Sequence, residues 1–495
     1  MRASNYLHQL IHSLSPGERT GVVKSLEGGK KGDKSLYLRL FLTIESQSRY
    51  DEAAIKLAFE GTSFGKGLGF PKSHLYDRVL EHLLQLHAGD SQTARSRRAL
   101  DRIELLTERG LYEQALRQME REFTKATSLD DSGLVLQLLR LKRRQVMRMQ
   151  SEDLAGEMAG IKAEEAAWEA AFYAEQRAIR LHDDLYALTL GVRRKGGADE
   201  DPRLRSISSE LDELLADAHL RFPARVAALR ARSHLHHLRE DFRAVHDAYS
   251  AEIQVWEAHP VQIQSDQLRF LRLIGQWLTS KALIGDHDGL LAEIKRMRTR
   301  DGLDEKGEAE VFQISYTLEL YCHLNFGNPQ EALPLAEFVK AGLQKYDHHI
   351  PPSAKLGFYY NLALVKWWSR QHSAALKWVH RILQFDKVGV RKDIRDFAPL
   401  LEMVLHYELG HLDLVESWFR SVKYRQRKAN TPKDLEQLLM EVLHRLLSVT
   451  DRGQREGHVK EFIAGLDKLS EQPGISKLGI QELREWAKRL QGLNV

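Results

Sequence analysis

Twenty-two histidines are spread over this 495-residue chain, and they are the first residues to ask chemistry of. His8 and His12 stand one helical turn apart, a spacing that can hold a metal ion between two imidazoles. His234, His236 and His237 form a second group, and His348 and His349 a third. None has a cysteine or carboxylate at a convincing ligand interval, so each group reads as solvated or packed, and no metal is expected. Glu164-Glu165 and Asp183-Asp184 are adjacent carboxylates, but neighbours on a helix point apart and cannot share a proton-transfer task. No HExxH pair and no dinucleotide-binding glycine fingerprint occurs. The string Gly28-Gly29-Lys30-Lys31-Gly32-Asp33-Lys34 lacks the P-loop order of glycine, lysine and serine or threonine, and no strand pattern precedes it. These readings point to a protein that is not an enzyme and carries no cofactor.

Basic runs are more noticeable. Arg140, Lys142, Arg143, Arg144 and Arg148 decorate one helical stretch, and Lys295, Arg296, Arg298 and Arg300 close another. Arg420, Lys423, Arg425, Arg427, Lys428 and Lys433 follow a third. Cations near a helix C-terminus oppose the negative end of its dipole and are favoured there without any ligand. The alternative is an acidic peptide or a nucleic-acid backbone. The net charge of +4, from 73 Lys and Arg against 69 Asp and Glu, is small for the length and argues against a dominant nucleic-acid binder.

The elements that must position these groups are helices. Proline is sparse, with 12 residues, and apolar positions recur at helical spacing nearly throughout. Turn positions paired with a residue five positions later, typically small or β-branched, recur at Gly110/Ala115, Glu240/Val245, Gly285/Leu290, Gly327/Ala332, Arg370/Ala375, Gly410/Val415 and Gly453/His458. Two weaker slots fall near Gln150/Ala155 and Lys195. Antiparallel helices joined by a tight turn approach closely only where a contact position is small, and glycine tolerates the sharp reversal. The first turn, in ERGLYEQAL, resembles that of tetratricopeptide repeats. From position 240 the interval is about 40–45 residues against the usual ~34, so about nine hairpins with longer helices or loops are expected. Such a hairpin cannot bury its apolar face alone and must stack on neighbours. Gly156 to Arg194 is alanine-rich and reads as one long helix or two abutting ones. Gly196 to Pro202 is the clearest internal break, a hinge or an inter-repeat loop.

Aromatic residues crowd positions 355–420: Phe358, Tyr359, Tyr360, Trp367, Trp368, Trp378, Phe385, Trp418 and Phe419. Most are expected in the core. Tyr360, Asn361, Leu364 and Trp367 fall on the first helix of their hairpin, which lines the concave face in tetratricopeptide arrays. Asn361 is an amide that could bond a ligand's backbone or equally a neighbouring helix. Thr317 and Tyr321 hold the matching slots in the preceding repeat, where the cations of a carboxylate clamp are missing. Arg420 completes the candidate contact set.

Residues 1–90 differ from the rest of the chain. Asn5 to Leu14 is a short amphipathic helix, and Ser15-Pro16-Gly17-Glu18 is a capping box with proline at the first helical position. Helices are expected from Pro16 to about Leu26, from Leu36 to Gln47, from Asp51 through Phe59, and from Pro71 through His87. The last two, across a glycine-rich linker, could form a helix-turn-helix with Lys72, Ser73, His74 and Arg78 facing DNA. The alternative is a cap over the first repeat's apolar face. SLSPGERTGVVKSL, GDKSLYLRLFLTIESQSRYDEAAIKLAFEG and KSHLYDRVLEHL together resemble the N-terminal signature of an uncharacterised bacterial family of helical-repeat proteins. The matching residues are Glu18-Arg19, Gly32-Asp33-Lys34, Tyr37-Leu38, Leu40-Phe41, Tyr50-Asp51-Glu52, Lys72 and Leu75-Tyr76, while His74 departs from the usual aromatic. FYYNLALVKWW and HYELGHLDLVESWFRS are similar to the family's later blocks. The resemblance implies an architecture and no activity.

The sequence therefore predicts an all-α protein, an α-solenoid of tetratricopeptide-like hairpins over 91–495 with a helical cap module at 1–90 and a possible break near 195–203. The single cysteine, Cys322, fits a reducing compartment. With no secretory signal and no apolar span, a cytoplasmic location is expected and no membrane partner. The expected partner is a protein or peptide held on the concave face. The alternative is a ligand-responsive transcriptional regulator whose N-terminal module binds nucleic acid.

Overall fold

The computed structural model describes residues 5–27, 33–87, 92–149, 153–191, 202–385, 390–429, 434–449, 451–472 and 478–491. Among these residues every regular element is helical and no strand occurs, as the sparse proline and sustained helical periodicity require. No described helix is long and apolar enough to cross a membrane. Backbone packing divides the chain into Met1–Ala170 and Ala171–Val495. The division falls inside the helix Leu154–Gly191, not at 90 and not at 195–203. Positions 192–201, which take in all but the last two residues of the suspected break, lie outside the described residues.

In the first unit α1 (Tyr6–Ser13), α2 (Pro16–Glu27), α3 (Asp33–Glu45), α4 (Glu52–Ala58) and α5 (Gly69–Leu86) share one core, centred on Leu26, Leu40, Phe41, Ile55, Phe59 and Leu75. The capping box forms as expected. The Ser15 amide donates to Glu18 Oε2 at 2.7 Å and the Glu18 amide to Ser15 Oγ at 3.3 Å. Asp51 caps α4 by accepting from the Ala53 and Ala54 amides. Three helices then pack in succession: α6 (Gln92–Glu108), α7 (Tyr112–Ser128) and α8 (Ser132–Met149). The alanine-rich stretch is one continuous helix of 38 residues, α9 (Leu154–Gly191).

The second unit opens with the later part of α9, whose Ala178, Leu181 and Leu185 share a core with α10 (Pro202–Ala216). Hairpins come next: α11 (Phe222–Leu238) with α12 (Phe242–Glu257), then, after the short α13 (Pro260–Ser265), α14 (Gln267–Leu283) with α15 (His287–Arg298). They continue with α16 (Glu305–Asn325) and α17 (Leu333–Lys345), α18 (Pro352–Trp368) and α19 (His372–Leu383), α20 (Lys392–Glu408) and α21 (Leu412–Ala429), and α22 (Asp434–Ser448) and α23 (Arg452–Ser470). The last described helix is α24 (Ile480–Leu490). The first helices of consecutive hairpins touch one another, α14 on α16, α16 on α18, α18 on α20 and α20 on α22.

One device makes most of the reversals. Gly110, Glu240, Gly285, Arg370 and Gly410 all take positive φ, as does Asp130 between α7 and α8, which the turn pattern does not flag. In each, the amide one residue later reaches back to a carbonyl five positions before it, for example Gln371 to Lys366 at 2.8 Å and His411 to His406 at 3.0 Å. This is the Schellman closure, which satisfies carbonyls the helix end leaves orphaned. The small or apolar residues five positions after these turns, Ala115, Val245, Leu290, Ala375 and Val415, are buried in the hairpin contacts. Gly327 departs from the pattern, because it does not take the left-handed φ of the other turns and is followed by a 3-10 turn at Pro329–Ala332. Gly453 is not a turn at all: it lies in the first turn of α23, which Asp451 caps through the Gln454 amide.

Candidate functional site

The first helices of the hairpins present one face that their second helices do not cover, and along the second unit this face changes character. On α14 it is an open stripe of Arg272, Gln276, Thr279 and Leu283, three polar residues and one leucine, spaced four, three and four residues apart. Arg272 reaches across to Glu310 on α16 at 3.1 Å, and the Gly275 backbone lies close to Ile314, so the two helices run tightly side by side. On α16 the same face continues with exposed Thr317 and Tyr321, whose ring meets Phe326 edge-on.

On α18 and α20 the face is covered by the chain itself. The capping geometry starts α24 at Gly479, which has φ +91° and packs so closely on the Phe397 ring that a Cβ there would lie 2.4 Å from it. Only glycine meets both demands. The Glu482 carboxylate accepts from the Gly479 amide at 2.7 Å and from the Tyr360 hydroxyl on α18. One turn on, the Trp486 indole donates to Glu408 of α20 at 2.6 Å and meets the Tyr407 ring edge-on. At the far end Arg489 stacks on Trp368, its guanidinium 4.2 Å from the ring centre, and donates to the Trp368 carbonyl. Helix α24 thus lies along α18 and α20 in the same sense, from Tyr360 and Phe397 to Trp368 and Glu408. Ile480, Leu483, Trp486 and Ala487 are its buried side. Burial, with Glu482 beside it, holds the Tyr360 phenol protonated well above the ordinary tyrosine range. Burial likewise weakens the cationic form of Arg489.

The candidate contact residues separate accordingly. Tyr360, Leu364 and Trp367 were expected on an open concave face; that expectation is revised. They are 7%, 5% and 2% exposed and belong to the core that α24 completes. A hairpin pattern shows which helix carries them, but not that a segment more than a hundred residues later lies over that helix. Asn361 is half-buried and its side chain makes no hydrogen bond among the described residues. Tyr321 and Arg420 are exposed, and Arg420 borders a cleft of about 400 Å³ with Glu416, Phe419 and His444. Sequence reasoning missed Glu408, Glu482, Trp486 and Arg489. The signal was present in α24's own pattern of Ile480, Leu483, Trp486 and Ala487 on one stripe.

Other candidates resolve into structural roles. The His8 and His12 rings lie 4.2 Å apart, tilted at 40°, with His8 bonding the Gln47 carbonyl. Among the described residues no group of three or more metal-type ligands converges. Arg143 pairs with Glu165 and Arg144 with Glu104, while Arg298 pairs with Glu319 and lies over the Tyr316 ring. The side chains at 423, 425, 427, 428 and 433 lie outside the described residues. In the proposed DNA-facing set, Lys72 is buried, donating to Tyr50 at 2.8 Å and Glu52 at 3.1 Å, and Arg78 donates to the Ser25 carbonyl. Ser73 and His74 remain exposed. Gly61-Thr62-Ser63-Phe64-Gly65 has the spacing of a nucleophile elbow, which requires a strand-to-helix turn. Here Ser63 opens a 3-10 turn between two helices, and among the described residues neither a histidine nor a carboxylate bonds its hydroxyl.

No family model, no curated protein and no solved structure matches this chain.

Proposed function

We propose that this chain is a non-enzymatic binding scaffold, built as a tetratricopeptide-like α-solenoid, that holds a protein or peptide segment along the first-helix face of its second unit. The observation that supports this reading is the succession α14, α16, α18, α20, α22, in which each first helix touches the next, with Arg272, Gln276, Thr279, Thr317 and Tyr321 exposed along α14 and α16. Its exposed stretch mixes an aromatic residue, Tyr321, with polar groups that can bond an extended backbone. Ordinary binding faces on helical repeats work this way, with apolar burial supplying affinity and a few polar groups fixing register. The chain is placed in the cytoplasm on this reading, and residues 1–90 serve as a cap. The regulator alternative is less favoured because Lys72 and Arg78 already serve the module's own core.

The test is a photo-crosslinking amino acid at Tyr321, at Thr317 and, as control, at a second-helix position such as Lys377, in the intact chain inside its own cell. Discrete protein adducts at the first two and none at the third are expected. Equal labelling at all three, or none anywhere, would remove the scaffold reading.

A further inference from the structure

The face on α18 and α20 is built like a receptor for a helix, and a helix lies in it. Helix α24 is 11 residues long. That is too short to hold its shape alone in water, so its helicity depends on what it packs against: α23, where Arg484 pairs with Asp467 at 2.6 Å, as well as this seat. In the sequence Pro473 and Gly474 stand between it and α23. Its grip is of a recognisable kind: an apolar stripe laid into an aromatic-lined trough, with polar pins at each end. The pins are Glu482 to Tyr360, Trp486 to Glu408, and Arg489 to Trp368. The packing of α24 is imperfect. Arg484 Nε, Glu485 Oε2 and Gln491 Nε2 are buried without a hydrogen-bond partner among the described residues. Each such atom favours leaving for water over staying.

We propose that α24 is a resident stand-in for a ligand. The trough between α18 and α20 receives an amphipathic helix with an aromatic anchor, a carboxylate four residues before it and a cation three residues after it. Helix α24 closes the trough until a partner helix of that chemistry displaces it. This rests on the scaffold reading, and it names both the partner class and the regulation of that face. Charge placement argues for such an occupant over an extended peptide. Glu408 meets an indole N–H, Tyr360 offers a hydroxyl to a carboxylate, and Trp368 offers its face to a guanidinium, at positions 482, 486 and 489 that only a helix brings to one side.

The experiment uses the full chain carrying Leu483→Ala and Trp486→Ala, with a fluorescein-labelled synthetic peptide of residues 478–491 as probe. Fluorescence anisotropy should show the peptide binding this variant at least tenfold more tightly than the unaltered chain. The same peptide with Trp486→Ala should lose at least tenfold. Equal affinity for both chains overturns the proposal, and so does a concentration-dependent dimer of the unaltered chain, in which α24 is exchanged between copies. Because the double variant could fold poorly, hydrogen exchange on the unaltered chain gives an independent reading. Amides of α24 should exchange at least tenfold faster than those of α18 and α20; exchange at the same rate means that α24 opens only with its neighbours, and the proposal fails. A chain that gives crosslinks at Tyr321 but never opens at α24 keeps the scaffold reading and loses this one. A trough that binds the peptide in a chain giving no adducts in the cell does the reverse.

Discussion

Helices α11 to α16 and helices α18 to α24 belong to the same unit and share the same hairpin turn, yet their interiors differ. In the earlier half, Glu252 is fully buried and paired with Arg230 at 2.5 Å, while Ser233, Gln262, Ser280, Ser315 and Glu319 are also buried. In the later half, among the described residues, no polar or charged side chain beyond Glu319 is buried, and the core is leucine, valine, phenylalanine and tryptophan. The difference separates two ways of making a face. Buried ion pairs contribute little net stability but fix which neighbours meet. An interior that relies on them can leave its outer stripe polar and open, as α14 does. An apolar-aromatic interior gains more per area from burial, and its surface does not stay bare. Here it is closed by α24.

The largest effects should come from striking each interior where it is strongest. Trp367→Ala in the later half should cost about 3–5 kcal/mol, through lost burial and the cavity left behind. In the earlier half Arg230→Met should cost a similar ~3–5 kcal/mol by stranding the Glu252 carboxylate. Replacing both members with apolar residues, Arg230→Met with Glu252→Leu, should recover most of that loss. Urea unfolding followed by circular dichroism measures all three. If the double variant is no better than the single one, the pair is not what distinguishes the earlier half. Thr317→Ala on the open stripe is the control, within about 0.5 kcal/mol of the unaltered chain.

A smaller effect tests the closure itself. Tyr360→Phe removes the hydroxyl from Glu482 while leaving its bond to the Gly479 amide, so a loss of about 1 kcal/mol is expected. The turns give a change of the opposite sign. Arg370 holds φ 59°, where a side chain is strained, whereas Gly410 meets the same demand without strain. Arg370→Gly should raise stability by up to about 1 kcal/mol, and Gly410→Ala should lower it by about as much. An unchanged midpoint for both would mean that the positive φ carries no cost here.

The mildest probe is pH. Burial first, then the charges of His182, His237 and Arg230, push the His234 imidazole in the earlier half down from 6.5 to about 4. Below pH 6.5 the unfolded chain binds a proton that the folded chain refuses, so stability falls as pH drops from about 6.5 to about 4 and levels off beneath that. The unfolding midpoint measured across this window should slope downward toward acid, and His234→Gln should flatten the slope. A slope that survives the substitution assigns it to other groups.

Much of this was legible in the residues. Ser15 and Glu18 announce a capping box, Asp51 announces a cap, and Gly110, Gly285 and Gly410 announce reversals, because each depends on atoms a few positions away. Glu240 and Arg370 were recognisable only by the buried residue five positions on. Gly453 misled because a glycine near a helix start looks the same as one at a helix end. Tyr360, Leu364 and Trp367 were placed on the first helix of their hairpin, which α18 is, but were read as open when they are covered. Nothing in the spacing of α18 says what lies over it.

The sequence by itself determined the helices, their caps, most of their turns and the side of each helix that must be buried, since these depend on contacts within one or two turns of chain. Only the tertiary structure decided that α24 fills the trough on α18 and α20. The bond from Tyr360 to Glu482 spans 122 positions. Its formation depends on how several successive hairpins stack, and periodicity carries no information about that distance.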